Sequence, residues 1–273
     1  MVGFAIVRSL PLLERPRYLL EPQAYTDGAW FDVERRALLD TTWHRGSEGT
    51  TLDHWAGLDF SSNRPSEPLE AALGALPRAL GSVQPERLVE VASVDLEGEF
   101  NWKLFIENHL DVLHLWYLHD RSLGSFDHAR FEHRQLGRNW ASYEPLRAGQ
   151  PRPTGSLISH LEERDVVGLG AHLLFPDTPM AAAADFFLTY RARPVAADRT
   201  VVELRVLAEP GADPDPLVRA SLGFIEEDME ACARIQHVLW SRHFRVGPLA
   251  ATHEQPIVAF QRNVIDYLEG ALP

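Results

Sequence analysis

Apolar and polar positions change period several times along this chain, and the changes mark out its elements. From Pro22 to Trp43, Trp30, Phe31, Val33, Leu38 and Leu39 recur at helical spacing and predict a short amphipathic helix capped by Thr26 or Asp27. His44 to Thr51 and Ser61 to Pro68 read as polar loops, and Leu69 to Leu80 as a small helix. Leu88 to Val94 reads as a strand. Glu99 to Asp120 has apolar residues on nearly every side, which predicts a long buried helix. His128 to Arg134, Asn139 to Glu144, Ser156 to Glu162 and Val166 to Phe175 are strand-like, separated by Gly, Pro and Asp. The clearest hairpin alternates Phe186, Leu188, Tyr190 and Ala192 with Phe187, Thr189, Arg191 and Arg193. It turns near Pro194 and Asp198 and returns through Val202, Leu204, Val206 and Ala208. Asp215 followed by Pro216 opens a last long helix that reaches about Trp240.

A strand meander with one helix before it and a long helix after it is an α+β arrangement, helices packed on one antiparallel sheet. The 26 basic and 39 acidic residues give a net charge of -13 with no basic block, which argues against nucleic acid or anionic membrane as a partner. Met1 to Val7 is apolar but is interrupted by Arg8, too short for a signal-peptide core, so a cytoplasmic protein is expected. The single cysteine, Cys232, excludes a disulfide within the chain, and with it any two-cysteine metal site or iron–sulfur cluster.

Within the Glu99 to Asp120 segment, Asn108, Asp111 and His114 fall on one stripe of an otherwise apolar helix, with His119 beyond them. Such a stripe fits a narrow solvent-facing edge as readily as a metal site. Its Asn, Asp and His composition differs from the Lys and Glu mixture of wet faces, and imidazole is a good iron ligand. An acidic neighbour three residues earlier can accept the other ring proton of His114. His114 and His119 are five residues apart, so they can share an ion only where the helix ends or distorts between them. His109 reads as structural. In the last helix, Leu217, Ser221, Phe224, Asp228, Ala231, Ile235 and Val238 form one row in which Asp228 is the only charge. A salt bridge accounts for Asp228 as well as a metal does, whereas Glu226, Glu230 and Arg234 lie on a solvent face.

Asn101-Trp102-Lys103, Glu107-Asn108 and Asp111-x2-His114-x4-His119 together resemble the signature of the α-subunit catalytic domain of Rieske-type ring-hydroxylating oxygenases. Tyr25 to Trp43 is similar to that family's N-terminal helix, and Trp55-Ala56-Gly57 with Asp59-Phe60 to the strand leaving its Rieske domain. Phe175-Pro176-Asp177, Glu227-Asp228 with Gln236, and Glu254 extend the likeness. The resemblance implies a helix-grip fold, a mononuclear Fe(II) held by His114, His119 and Asp228, and Asp111 and Asn108 as catalytic-site residues. Asp111 matches the family residue that links the iron to a neighbouring subunit's Rieske cluster. The departure is an absent Rieske domain, of roughly a hundred residues: only 11 residues separate Trp43 from Trp55. Residues 1–68 are then expected to be a remnant flanking the missing domain, and residues 69–273 the catalytic unit. The chain carries no [2Fe-2S] cluster, so a separate Rieske or ferredoxin protein is expected to supply electrons for oxidation of an apolar or aromatic molecule by dioxygen. A metal enzyme needing no external electrons and a non-catalytic ligand-binding or partner subunit are the alternatives. A homo- or hetero-trimer is a family expectation, and Phe105, Trp116, Phe175, Phe186 and Phe224 are candidate pocket residues.

Overall fold

The structure is a computed structural model in which residues 18–46 and 48–269 are described; the apolar stretch Met1 to Val7 lies outside them. Two short helices, α1 (Gln23–Thr26) and α2 (Gly28–Ala37), replace the single N-terminal helix, because Asp27 between them has extended backbone. That conformation lets its carboxylate accept the Ala29 amide at 2.7 Å, so the capping residue itself divides the segment. Strands β1 (His44–Arg45), β2 (Thr51–Trp55) and β3 (Leu58–Ser62) form a small antiparallel sheet in the order β1-β3-β2. The two loops expected here are correspondingly shortened: His44 pairs with Ser61, and Thr51 with Ser62. Ala56 and Gly57 turn the hairpin with φ of 54° and 75°, the sign that suits strand twist. The helix expected from Leu69 to Leu80 is two helices, α3 (Leu69–Leu73) and α4 (Leu76–Ala79), parted at Gly74 with φ 52°.

Strand β4 (Val89–Gly98) leads to α5 (Trp102–Leu110), which Asn101 caps by accepting the Lys103 amide at 3.0 Å. The long helix expected from Glu99 to Asp120 stops at Leu110. Asp111 is extended (φ -87°, ψ 108°), and Leu113–Trp116 is a separate 3-10 turn. Apolar spacing continues across the break although the helical hydrogen bonds do not. Beyond it come β5 (Glu132–Leu136), β6 (Asn139–Pro145), the short α6 (Glu163–Val166), β7 (Gly168–Leu174), β8 (Thr178–Ala182), β9 (Phe187–Ala196) and β10 (Arg199–Ala208). With β4 they make a seven-stranded antiparallel sheet in the order β4-β10-β9-β8-β7-β6-β5. Ser156 to Glu162 is not a strand: the Ile158 amide bonds to the Ala184 carbonyl and Ser159 is held by Glu209, leaving no ladder.

The β9–β10 hairpin joins the two alternating sets, pairing Ala192 with Val202, Tyr190 with Leu204 and Leu188 with Val206, but Pro194, expected in the turn, lies within β9 opposite Thr200. None of the six side chains of those first three pairs is more than 3% exposed. The last two helices are α7 (Pro214–Leu239) and α8 (Gln255–Glu269). Asp213 caps α7, in place of the expected Asp215, by accepting the Asp215 amide at 3.1 Å. The buried row of α7 is Leu217, Ser221, Ile225, Met229, Cys232, Gln236 and Leu239. Ile235 and Val238, from the row read in the sequence, are 46% and 49% exposed. A row stepping 3.5 residues drifts off the true face of a 3.6-residue helix, and the drift accumulates toward the C-terminus.

Helix α5 packs against α7, α8 and β9, and its sides are tied to the ends of the chain by buried polar groups. Lys103 and Glu34 form a fully buried ion pair at 2.6 Å, and the Trp30 and Trp102 indoles donate to the same carboxylate. One turn on, Glu107 accepts from Tyr25 at 2.6 Å and from Gln261 at 2.8 Å. This cluster holds two carboxylates and one ammonium. Burial raises Glu107 to about 7, although Tyr25, Gln261 and Lys103 pull the other way. A carboxyl raised on folding stabilises fully below its ordinary value of 4.5 and loses that contribution as pH rises through about 7. Thermal unfolding followed across pH 5 to 8 is therefore expected to show falling stability over this window. Glu107→Gln is expected to flatten the fall by up to about 3 kcal/mol.

Candidate metal centre

The break after α5 sets the position of the first imidazole. With Asp111 extended, its backbone carbonyl leaves the helical ladder and accepts from His114 Nδ1, while its carboxylate accepts the Leu113 amide at 2.7 Å. The second-partner role expected of the Asp111 carboxylate thus falls to its carbonyl. The 3-10 turn that follows carries the chain to His119, whose ring lies 4.9 Å from that of His114 between centroids, at 76°. Helix α7 supplies the acid: Asp228 Oδ1 is 2.8 Å from His119 Nε2 and 3.4 Å from His114 Nε2. Asn108, on the last turn of α5, donates to the same oxygen at 2.7 Å. His119 Nδ1 meets Glu227 at 2.8 Å, and Ser122 donates to Glu227 as well.

Each imidazole therefore has an oxygen acceptor at Nδ1, which places a proton there and leaves the Nε2 lone pair facing Asp228. Two lone pairs and a carboxylate oxygen gathered at one point repel unless a cation lies among them. Protons can fill that role, and so can a metal ion. His114, His119 and Asp228 each offer one donor atom, and these atoms lie within 4.8 Å of one another. Burial raises the Asp228 carboxyl, but hydrogen bonds from His114 and His119 outweigh it and hold the group well below the usual carboxylate range. Burial lowers His114, and Asp228 and Asp111 more than restore it, so the ring is held above its ordinary value. A nitrogen–nitrogen–oxygen set with unfilled positions suits Fe(II), whose open face takes substrate and dioxygen.

The site borders a small cavity of about 80 Å³, walled by Phe105, Trp140, Leu169, Phe186, Tyr190 and Phe224. Of the aromatic residues expected to line a pocket, Phe105, Phe186 and Phe224 do so. Phe175 instead packs against Phe260 and Tyr267, and Trp116 against His128 and His253. His109 also borders the cavity; it bonds to the His172 carbonyl at 2.9 Å, and burial lowers it to about 4, which keeps the ring neutral. Sequence reasoning gave Glu227 no role of its own. The signal was available, because a ligand imidazole needs an acceptor at its second nitrogen and Glu227 adjoins Asp228.

A family profile described as ring hydroxylating alpha subunit (catalytic domain) matches residues 85–270. The chain belongs to this family. As a ring-hydroxylating oxygenase catalytic domain it is a member of a non-haem iron oxidoreductase family, as the resemblance implied. The quaternary ammonium Rieske monooxygenase CntA, in complex with an inhibitor, superposes with a TM-score of 0.74 at 15% identity, covering 90% of this chain and 94% of that one. CntA bound to L-carnitine gives 0.63 at 18% identity, covering 80% of this chain and 60% of that one. Naphthalene 1,2-dioxygenase from Rhodococcus sp., bound to indole, gives 0.66 at 18% identity, with 82% and 67% covered. At these identities the likeness establishes the shared fold, and the chain spans only about three fifths of the carnitine-bound CntA chain. No curated protein matches the sequence.

Protein prepared without oxygen is expected to bind one ferrous ion per chain and to lose it in His114→Ala or Asp228→Ala, as measured by metal analysis after gel filtration. Glu227→Gln is expected to keep the site but weaken iron affinity about 10- to 100-fold in chelator competition.

Proposed function

We propose that the chain is a mononuclear non-haem Fe(II) oxygenase component, with His114, His119 and Asp228 as the ligands, that oxidises a small apolar or aromatic molecule with electrons from a separate protein. The observation that carries this reading is the meeting of two imidazoles, each with an oxygen partner at Nδ1, and one carboxylate on the lining of an apolar cavity, in a member of this family. Iron bound there supplies dioxygen activation next to the cavity. Asn108 fixes the carboxylate rotamer of Asp228, and Glu227 and the Asp111 carbonyl fix the two rings. The aromatic walls keep water from the reacting end.

The chain holds one cysteine, so the electrons come from outside it. A second cavity, of about 250 Å³, lies beside α5 and is bordered by Tyr18, Glu107 and Phe244. Asn108 and Asp111 border both cavities, so the two are separated by little more than these side chains. This supports docking of a Rieske or ferredoxin partner on the Asp111 side, and a homo- or hetero-trimer is the assembly proposed to present it. Residues 69–273 form the catalytic unit in this reading, with residues 1–68 as the remnant that flanked a Rieske domain. Among the described residues no helix is long and apolar enough to cross a membrane, and a cytoplasmic setting is proposed.

Oxygen uptake by the iron-loaded protein, supplied with a ferredoxin and reductase and offered indole, naphthalene or L-carnitine as trial substrates, is the test. Substrate-dependent uptake is expected only with the electron donor. Its absence with every electron source sinks the proposal, and turnover without reductant favours a metal enzyme that needs no external electrons. Asp111→Asn is expected to retain iron yet slow donor-driven turnover at least about tenfold, equivalent to about 1.4 kcal/mol of barrier.

A further inference from the structure

The two candidate ligand rings are held in different ways. His119 is 1% exposed and is oriented from α7 through Glu227. His114 stands on the 3-10 turn Leu113–Trp116, whose hydrogen-bond geometry is poorer than that of an α-helix and none of whose four residues is fully buried. Such a turn depends on what grips its ends. The near end is fixed by the Asp111 carbonyl and carboxylate. The far end is Trp116, whose indole meets the His128 ring edge-on at 5.5 Å and 74°, a favoured aromatic arrangement. The ring of His253, also against Trp116, lies further off at 6.4 Å.

His128 is itself anchored to the sheet. It is 1% exposed, the Asp127 amide before it donates to the Pro145 carbonyl at 2.8 Å, and Phe126 bridges to Leu146, so this segment is fastened to the end of β6. His128 Nδ1 donates to Glu144, a 4% exposed acid of β6 that is paired with Leu169 of β7. His128 Nε2 is buried and has no partner among the described residues. For packing alone a phenyl ring would serve as well, and it would avoid an unpaired nitrogen and a buried carboxylate, each of which costs stability. The imidazole and the acid are explained by the bond between them, which fixes the plane of the ring that Trp116 rests against.

Resting on the reading of His114 as a metal ligand, we infer that Glu144 and His128 are positioning residues for that ligand, acting through Trp116. The sheet reaches the metal centre along a line of contacts: β6 carries Glu144, Glu144 holds His128, His128 seats Trp116, and Trp116 ends the turn on which His114 stands. His119 takes its reference from α7, whereas His114 takes its reference from the end of α5 and from the sheet. A disturbance along this line moves one ring and leaves the other in place.

Cobalt(II), a paramagnetic stand-in for iron, reports the two rings separately, because the Nδ1–H protons of two coordinated imidazoles give two strongly shifted NMR signals. Glu144→Gln and His128→Phe are expected to displace the His114 signal and leave that of His119 in place, with cobalt affinity about tenfold weaker in chelator competition. Trp116→Phe, which keeps an aromatic edge, is expected to stay close to the unaltered protein, and Trp116→Ala to reproduce the displacement seen in Glu144→Gln. An unmoved His114 signal, equal movement of both signals, or loss of thermal stability with metal affinity unchanged overturns the inference.

A second measurement needs no metal. The Tyr117 and Leu118 amides are both bonded to the His114 carbonyl, at 3.0 and 2.8 Å. Their hydrogen exchange is expected to quicken about tenfold in metal-free Glu144→Gln and His128→Phe, while the amides of α5 keep their rates. Unchanged exchange in the turn, or equal quickening throughout α5, overturns the inference as well. An unaltered chain that binds no cobalt defeats His114 as a metal ligand, and the exchange rates then decide alone whether Glu144 and His128 hold its turn.

Discussion

The end of α5 is the constraint on which the centre depends. Had the helix continued, His114 and His119 would project in directions well over a quarter-turn apart, and the Asp111 carbonyl would be bonded within the helix. By stopping at Leu110 the chain releases that carbonyl to orient one ring, and the following tight turn swings the second ring toward α7. The break is anchored on both sides. Asn108 reaches across to Asp228 from the last helical turn, and the Asp111 carboxylate caps the turn beyond it. Helix ending, ring orientation and carboxylate placement are therefore one event.

Holding α5 in register needs rigidity in its own packing, and the protein obtains much of it from polar groups. Glu34 from α2, Lys103 and Glu107 from α5, Tyr25 from α1 and Gln261 from α8 meet in a buried layer. Ionic groups so deeply buried add little net stability over apolar residues of the same size, but breaking one partner from another is severe. What they provide is a single allowed placement of the helix. Gln236 on α7 extends the arrangement, accepting the Asn101 amide at 3.0 Å and donating to the Tyr25 carbonyl at 3.1 Å. The elements that carry the ligands are thereby referenced to one another.

How far the sequence reveals this depends on the kind of information each element carries. The β9–β10 hairpin is legible because Leu188, Tyr190 and Ala192 alternate with a face that carries Thr189, Arg191 and Arg193, and a turn signal follows, although Phe187 and Thr189 are buried as well. Strand β8 is not, since Thr178–Ala182 is buried on both faces and shows no alternation to read. The break in α5 is hidden because Val112, Leu113 and Leu115 keep the apolar spacing going. The candidate triad of His114, His119 and Asp228 stood out through residue type and family pattern, and its chemistry gave no geometric clue to Glu227. That residue acts through a ring proton of His119, a contact spanning 108 positions that only the fold brings together.

The small sheet has a further implication for how such chains are assembled over evolutionary time. Both β1 and β2 are bound to β3, so the connection between them leaves and re-enters the protein at neighbouring points, with neither end relying on the intervening residues for its place. Closing a hundred-residue excursion there instead of a five-residue one costs on the order of 3 kcal/mol. A compact module can thus be spliced in or excised at this junction while everything downstream keeps its coordinates. A chain that gains or lacks a module at such a seam keeps the architecture on either side of it intact.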